Sequence, residues 1–390
     1  MVTEKVDSEM LTDARKYHHR GTDPLPRVSV GVQTVQMSNI VSSASEGTIS
    51  EDVLDLLLET LKSNNNEPNI LARLNIFHRA DSMTLSVMSQ YQLAQKEELP
   101  LRSITCGPNG RIAFLFANHY HDTWCSHNGV IVFRQRRTTD RLVFSSCPTI
   151  LRYGPQGLIA VGLITGHISI ILNGKIITTK ETHTLSVTSL EWLLPLQQLV
   201  SASLDGQIII HSLKSTLLKT KNSKLVTVLN LPRTMRKSNA LDKYTGLTSL
   251  CVANDRLFVG GETGAIWMAT VPDLTLSLFH FEIDCIESVS HITNDTLFVT
   301  TSSGKGIIVS GSGTSTHILD LPVHHVFVMN RNLVMCGNYN ELYAIQVDDL
   351  KLLMKETVEH HAFHVVPDDD ALIVVDRQLF VTLYRININR

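Results

Sequence analysis

Beyond residue 100 the chain alternates short apolar runs of strand length with clusters of Gly, Asn and Asp. The third unit is the plainest: residues 187–192, 199–203 and 207–213 are β-prone, and polar turn residues separate them. Two turns recur in each unit. The second reads His127-Asn128-Gly129, Ile164-Thr165-Gly166, Asp205-Gly206, Glu262-Thr263-Gly264, Ser303-Gly304, Tyr339-Asn340 and Asp376-Arg377, with last residues 37, 40, 58, 40, 36 and 37 positions apart. A partner turn precedes each, as Gly107-Pro108-Asn109-Gly110 precedes the first and Asn254-Asp255 the fourth. Gly, Asn and Asp tolerate the positive φ that hairpins demand, so paired turns predict three-stranded antiparallel units. Seven units with a period of about 40 residues predict an all-β fold, a seven-bladed β-propeller over residues 101–390.

A propeller blade has four strands, and a fourth apolar run follows most third strands: residues 141–145, 175–179, 224–229, 274–281 and 351–358. The seventh unit has none, because its third strand, 379–386, nearly reaches Arg390. A bare sheet edge invites aggregation, so residues 84–94 are expected to pair with 379–386 and close the ring. The widest spacing holds a basic stretch, 214–243, where Lys214, Lys219, Lys221, Lys224, Arg233, Arg236, Lys237 and Lys243 face one acid, Asp242. It reads as an inserted loop, either simply solvated or turned toward an acidic partner.

Residues 1–47 are polar, and their Ser/Thr-rich end lacks apolar periodicity, the composition of a disordered tail. A helix is predicted over 48–63. Thr48 and Glu51 form a capping box, Val53, Leu54, Leu57, Leu58 and Leu61 share a face, and Asn64-Asn65-Asn66 with Pro68 ends it. So short a helix is marginal alone in water, so Leu54, Leu57, Leu58 and Leu61 form a candidate docking stripe for the chain's own propeller or for a partner. Residues 64–100 then serve as linker and ring-closing strand.

The net charge of -3, from 34 basic and 37 acidic residues, provides no global field to attract nucleic acid or anionic lipid. No apolar run reaches the length of a membrane span or of a signal-peptide core, so a soluble cytosolic or nuclear protein is expected. Cys106, Cys125, Cys147, Cys251, Cys285 and Cys336 are scattered without C-x-x-C spacing, as reduced, buried thiols would be. There is no phosphate-binding loop, H-E-x-x-H helix, nucleophile elbow or kinase signature. His119 and His121, and the group His360, His361 and His364, lack a carboxylate or thiolate at zinc-ligand spacing. Asp368-Asp369-Asp370 occupies a repeated turn position without a calcium-binding loop. No catalytic residue, metal site or cofactor is expected.

One tail segment carries a recognition pattern. Val28, Val30 and Val32 alternate in an extended stretch without a strand partner nearby, as suits β-augmentation. Within it, Val30-Gly31-Val32-Gln33-Thr34 resembles the Gln-Thr-centred motifs recognised by the small dimeric hub light chain of dynein. Further stretches resemble the cytoplasmic dynein intermediate chain family: Leu74-Asn75-Ile76-Phe77 ahead of the propeller, His127 to Phe133 with Arg137-Thr138-Thr139, and Ala160-Val161-Gly162 with Thr165-Gly166-His167-Ile168. Thr182-His183 with Val200 to Gly206, and Phe258 to Gly264, continue the likeness through the fourth unit.

That resemblance implies a noncatalytic WD-repeat scaffold whose propeller grips the dynein heavy-chain tail. The N-terminal tail would carry the dimeric light chain at Val30, Gly31, Val32, Gln33 and Thr34, with the leucine stripe a candidate dock for a second light chain. Two copies per motor complex and a microtubule-associated, cytoplasmic location follow from the same likeness. The chain departs from the family in three ways, the first being a single light-chain motif where the family tail often carries more than one. Residues 1–17 are too short and too weakly periodic for the long charged helix that engages dynactin, and His211-Ser212 stands where the third unit would carry Trp-Asp. The alternative is a WD-repeat adaptor of another complex, a substrate receptor or coat subunit. An enzyme or lectin would need acids, histidines or aromatics gathered at the central funnel.

Overall fold

The computed structural model describes residues 82–93, 99–107, 110–118, 127–135, 138–193, 198–214, 217–232, 244–293, 296–311, 315–330, 333–366 and 371–389. The expected tail, the helix and the light-chain motif therefore lie outside the described residues, as do His119, His121 and Asp368 to Asp370.

The described chain forms seven four-stranded antiparallel sheets arranged as a seven-bladed β-propeller. β1 (Ser82–Gln92) comes first in sequence. Blade 1 is β2–β5 (Leu101–Gly107, Arg111–Phe116, Gly129–Gln135, Thr138–Phe144), and blade 2 is β6–β9 (Pro148–Tyr153, Ile159–Leu163, His167–Leu172, Lys175–Glu181). Blade 3 is β10–β13 (Val187–Leu193, Gln198–Ser203, Gln207–Lys214, Leu217–Leu225), and blade 4 is β14–β17 (Leu247–Ala253, Arg256–Gly261, Ala265–Thr270, Leu276–Phe281). Blade 5 is β18–β21 (Ile286–Thr293, Thr296–Thr301, Lys305–Ser310, Ser315–Pro322), and blade 6 is β22–β25 (His325–Asn330, Leu333–Gly337, Glu341–Gln346, Lys351–Thr357). Blade 7 combines β26–β28 (Ala362–Val366, Ala371–Val375, Phe380–Asn389) with β1.

Second strands such as β7, β23 and β27 are buried at every position, because both of their faces pack against neighbouring blades. The seven buried clusters mostly bridge adjacent blades: Trp267 of blade 4, for instance, packs with Val200, Ile208 and Ile210 of blade 3. Turn chemistry is equally specific. Gly264 has φ +85°, and a Cβ there would lie 2.0 Å from the Glu282 carbonyl oxygen, so only glycine fits.

Ring closure falls to β1, which pairs antiparallel with β28 from Ser82 opposite Asn389 to Gln92 opposite Phe380. It also feeds two cores. Met83 is buried between blades 6 and 7, and Leu93, just past the strand, is buried between blades 7 and 1. Across that last seam the Arg134 guanidinium lies 3.5 Å from the Tyr91 ring centroid.

In blade 3 the outer strand is not the expected 224–229 but Leu217–Leu225, so the first part of the basic stretch is strand rather than inserted loop. An outer strand has one solvated face and spaces its apolar residues thinly. The compact apolar run that follows belongs to the connection, where Val226, Val228 and Leu231 plug the core between blades 3 and 4.

Candidate interaction face

Antiparallel pairing brings the start of each innermost strand to the same end as the second turn: Val187 is opposite Ser203 and Leu247 opposite Gly261. This end is the front face. Five innermost strands are irregular at their front end, the register skipping one residue between Leu101 and Ser103, Pro148 and Ile150, Val187 and Ser189, Leu247 and Ser249, and Ile286 and Ser288. The skipped residues are Arg102, Thr149, Thr188, Thr248 and Glu287. A bulge re-aims a side chain out of the ladder, and these five surround a cavity of about 360 Å³ at the mouth of the ring.

The threonines stitch blade to blade. Thr149 donates to the Val187 carbonyl, Thr188 to that of Leu247 at 2.7 Å, and Thr248 to that of Ile286. At the closing seam His361 Nε2 does the same to the Leu101 carbonyl, at 2.7 Å. Arg102 and Glu287 take the other two positions and leave charge at the mouth. Arg102 Nη1 donates to the Asn118 carbonyl at 3.0 Å, and burial lowers the guanidinium's pKa. Desolvation raises the pKa of the Glu287 carboxyl, opposed by His324.

Around this polar well the connections of the front face expose large apolar side chains: Leu185, Tyr244, Tyr339 and, at 93% exposure, Ile283. The Tyr339 ring stacks on His324 with centroids 5.5 Å apart. A polar centre with apolar and aromatic residues about it can hold a protein segment by burying that apolar surface, at roughly 25 cal/mol per Å².

Blade 3 holds a polar relay in its interior. His183 Nδ1 donates to the Asp205 carboxylate at 3.2 Å, Ser201 Oγ lies 2.7 Å from His183 Nε2, and His211 Nε2 lies 2.8 Å from Ser201 Oγ. Every hydrogen is used if His211 donates to Ser201 and Ser201 to His183. His211 Nδ1, which has no partner, is then a bare acceptor rather than a stranded N–H. The order Asp, His, Ser is that of a nucleophilic relay, but Ser201 is fully buried in mid-strand and is closed off by His211. The relay ties the β9–β10 connection to the β11–β12 turn, with Asp205 also accepting from Thr184 N and Gln207 N at 2.9 Å each. His211 thus completes the network.

The remaining expected groups disperse. His360 is buried with Nδ1 donating to the Val358 carbonyl at 2.6 Å, while His364 lies within β26, its ring centroid 4.6 Å from that of Phe327. Among the described residues no three His, Cys, Asp or Glu side chains are placed to hold a metal ion. Val30, Gly31, Val32, Gln33, Thr34, Leu54, Leu57, Leu58 and Leu61 are outside the described residues, as are Arg233, Arg236, Lys237 and Lys243.

The ring of bulge residues escaped sequence reasoning although its signal is there: Leu101-Arg102-Ser103, Val187-Thr188-Ser189, Leu247-Thr248-Ser249 and Ile286-Glu287-Ser288 repeat an apolar, polar, Ser pattern at four of the seven blade entries. Comparison with protein-family models finds no match to this chain, and comparison with curated proteins finds none either.

Proposed function

We propose that this chain is a noncatalytic intermediate chain of cytoplasmic dynein. It holds the heavy-chain tail with its propeller, carries light chains on its N-terminal segment and serves microtubule-based transport in the cytoplasm. The observation that carries the reading is the front face, a polar well set among exposed Leu185, Tyr244, Ile283 and Tyr339, suited to gripping another chain. The resemblance in the first four units gives that partner its identity.

In sequence, β1 follows the Val30 to Thr34 segment, so the strand that locks the ring is also the tether of the light-chain site. A dimeric light chain bridging two such segments makes two weak contacts bivalent, and the gain in avidity comes from tethering. Pull-down of the dimeric light chain by the full chain is the test. Gln33→Ala is expected to abolish it, and undiminished capture would remove the site. The same front face also suits a WD-repeat adaptor of another complex, whose partner would be a ligase or coat component instead of a motor.

A further inference from the structure

The outer edge of blade 3 differs electrically from the other outer strands. β13 carries Lys219, Lys221 and Lys224, all exposed, and no acid, a charge of +3 over nine residues. β1 and β17 carry no charged residue, β5 has one Asp against one Arg, and β9 and β25 each have two Lys against one Glu, so these five strands hold 0 or +1. Lysines on an edge strand guard against unwanted pairing, but the other edges manage with far less. Lys214 at the end of β12 and Lys175 on the adjoining β9 are also exposed and extend the patch. None of these lysines is in an ion pair with a described acid. The patch sits on a chain of net charge -3, so the charge is concentrated here rather than spread.

We propose that the free edge of β13 is a docking site for an acidic, extended polypeptide segment, which adds beside it as a fifth strand. β13 pairs only with β12 in its sheet. Its outer edge thus offers backbone donors and acceptors that a polypeptide can match and that a nucleic acid or lipid cannot, on either side of a bulge at Lys221 where Asn222 accepts from Ser223 N–H and donates to the Pro272 carbonyl. Exposed Leu217 and Leu225 at the two ends give an extended segment apolar anchors on either side of the lysines. The site is independent of the dynein reading, since any acidic segment of suitable length satisfies it.

The test is fluorescence anisotropy on the full chain with a labelled, Glu-rich twelve-residue peptide (about six pleat repeats, ~40 Å extended). Binding is expected to weaken steeply with salt. The combined change Lys219→Glu, Lys221→Glu and Lys224→Glu should reduce affinity on the order of tenfold or more, and the neutral Lys→Gln triple should reduce it less. Lys351→Glu with Lys355→Glu on β25 should leave it unchanged. A peptide of equal charge with proline at alternate positions should bind poorly, because it cannot complete the strand ladder. Undiminished binding by the Glu triple or by the proline peptide would overturn the proposal. So would tighter, competing binding of a single-stranded oligonucleotide or of phosphatidylserine vesicles.

Discussion

Asp205→Ala should unpick blade 3 from within. The carboxylate is 4% exposed and accepts from His183 Nδ1 and from the backbone of Thr184 and Gln207. Water can replace it at the two backbone groups, which lie nearer the surface, but not at the fully buried His183. Losing the carboxylate strands the buried His183 N–H, and a hydrogen bond to a charged group contributes about 1.5–3 kcal/mol, which for a propeller of this size lowers the melting temperature by roughly 3–6 °C. Burial works to raise the Asp205 pKa, but the hydrogen bonds from His183, Gln207 and Thr184 outweigh it and the net shift is downward.

The sign with pH follows. A depressed carboxyl pKa stabilises the fold above the unfolded value and is lost only as pH falls through the folded one, so the gap between wild type and Asp205→Ala should hold from pH 8 down to about 4. His211 behaves differently: burial first, then His183 and Lys180, lower its pKa from 6.5 to about 3. Between those values the unfolded chain binds a proton that the folded chain refuses, so stability falls with falling pH by up to about 1.4 kcal/mol per pH unit. Chemical denaturation followed by tryptophan fluorescence at pH 8, 6 and 4.5 measures both effects. A cost below about 0.5 kcal/mol for Asp205→Ala, the range of an ordinary surface change, would refute the relay as a structural element.

Leu93→Ala should cost about 2–5 kcal/mol by opening a cavity in the seam between blades 7 and 1, and hydrogen exchange should show β1 and β28 losing protection before the other blades. Gly264→Ala should destabilise by several kcal/mol, well beyond the usual gain of about 0.4–1 kcal/mol for Gly→Ala at a compatible site, because its Cβ meets the Glu282 carbonyl; a thermal melt checks the sign. Thr188→Val should weaken the stitch from blade 3 to the Leu247 carbonyl by about 1 kcal/mol, seen as faster exchange at the front ends of β10 and β14.

The ring was legible in the sequence because its turns obey a local rule: Gly166, Gly206, Gly264 and Gly304 all sit at positive φ, and backbone chemistry of that kind shows in residue identity. Closure was legible for a topological reason, a strand-prone run standing ahead of the first blade without a sheet of its own. What escaped was whatever depends on neighbours. The apolar run at 226–231 looks like a strand but is a plug, since periodicity reports burial and not hydrogen-bonding partner. The front-face ring depends on bulges that become visible only when five blades are superposed in register. The Asp205 relay was half visible: His183, Ser201 and Asp205 stand at suggestive positions, yet that His211 joins them required the cross-strand approach of its ring to Ser201.

Affinity purification of the tagged full chain from its own cells, with stoichiometry read by mass spectrometry, tests the central claim most directly. The account predicts a dynein heavy chain in equimolar amount together with a dimeric light chain. A preparation whose equimolar partners are ligase or coat subunits, with the heavy chain absent, would contradict it.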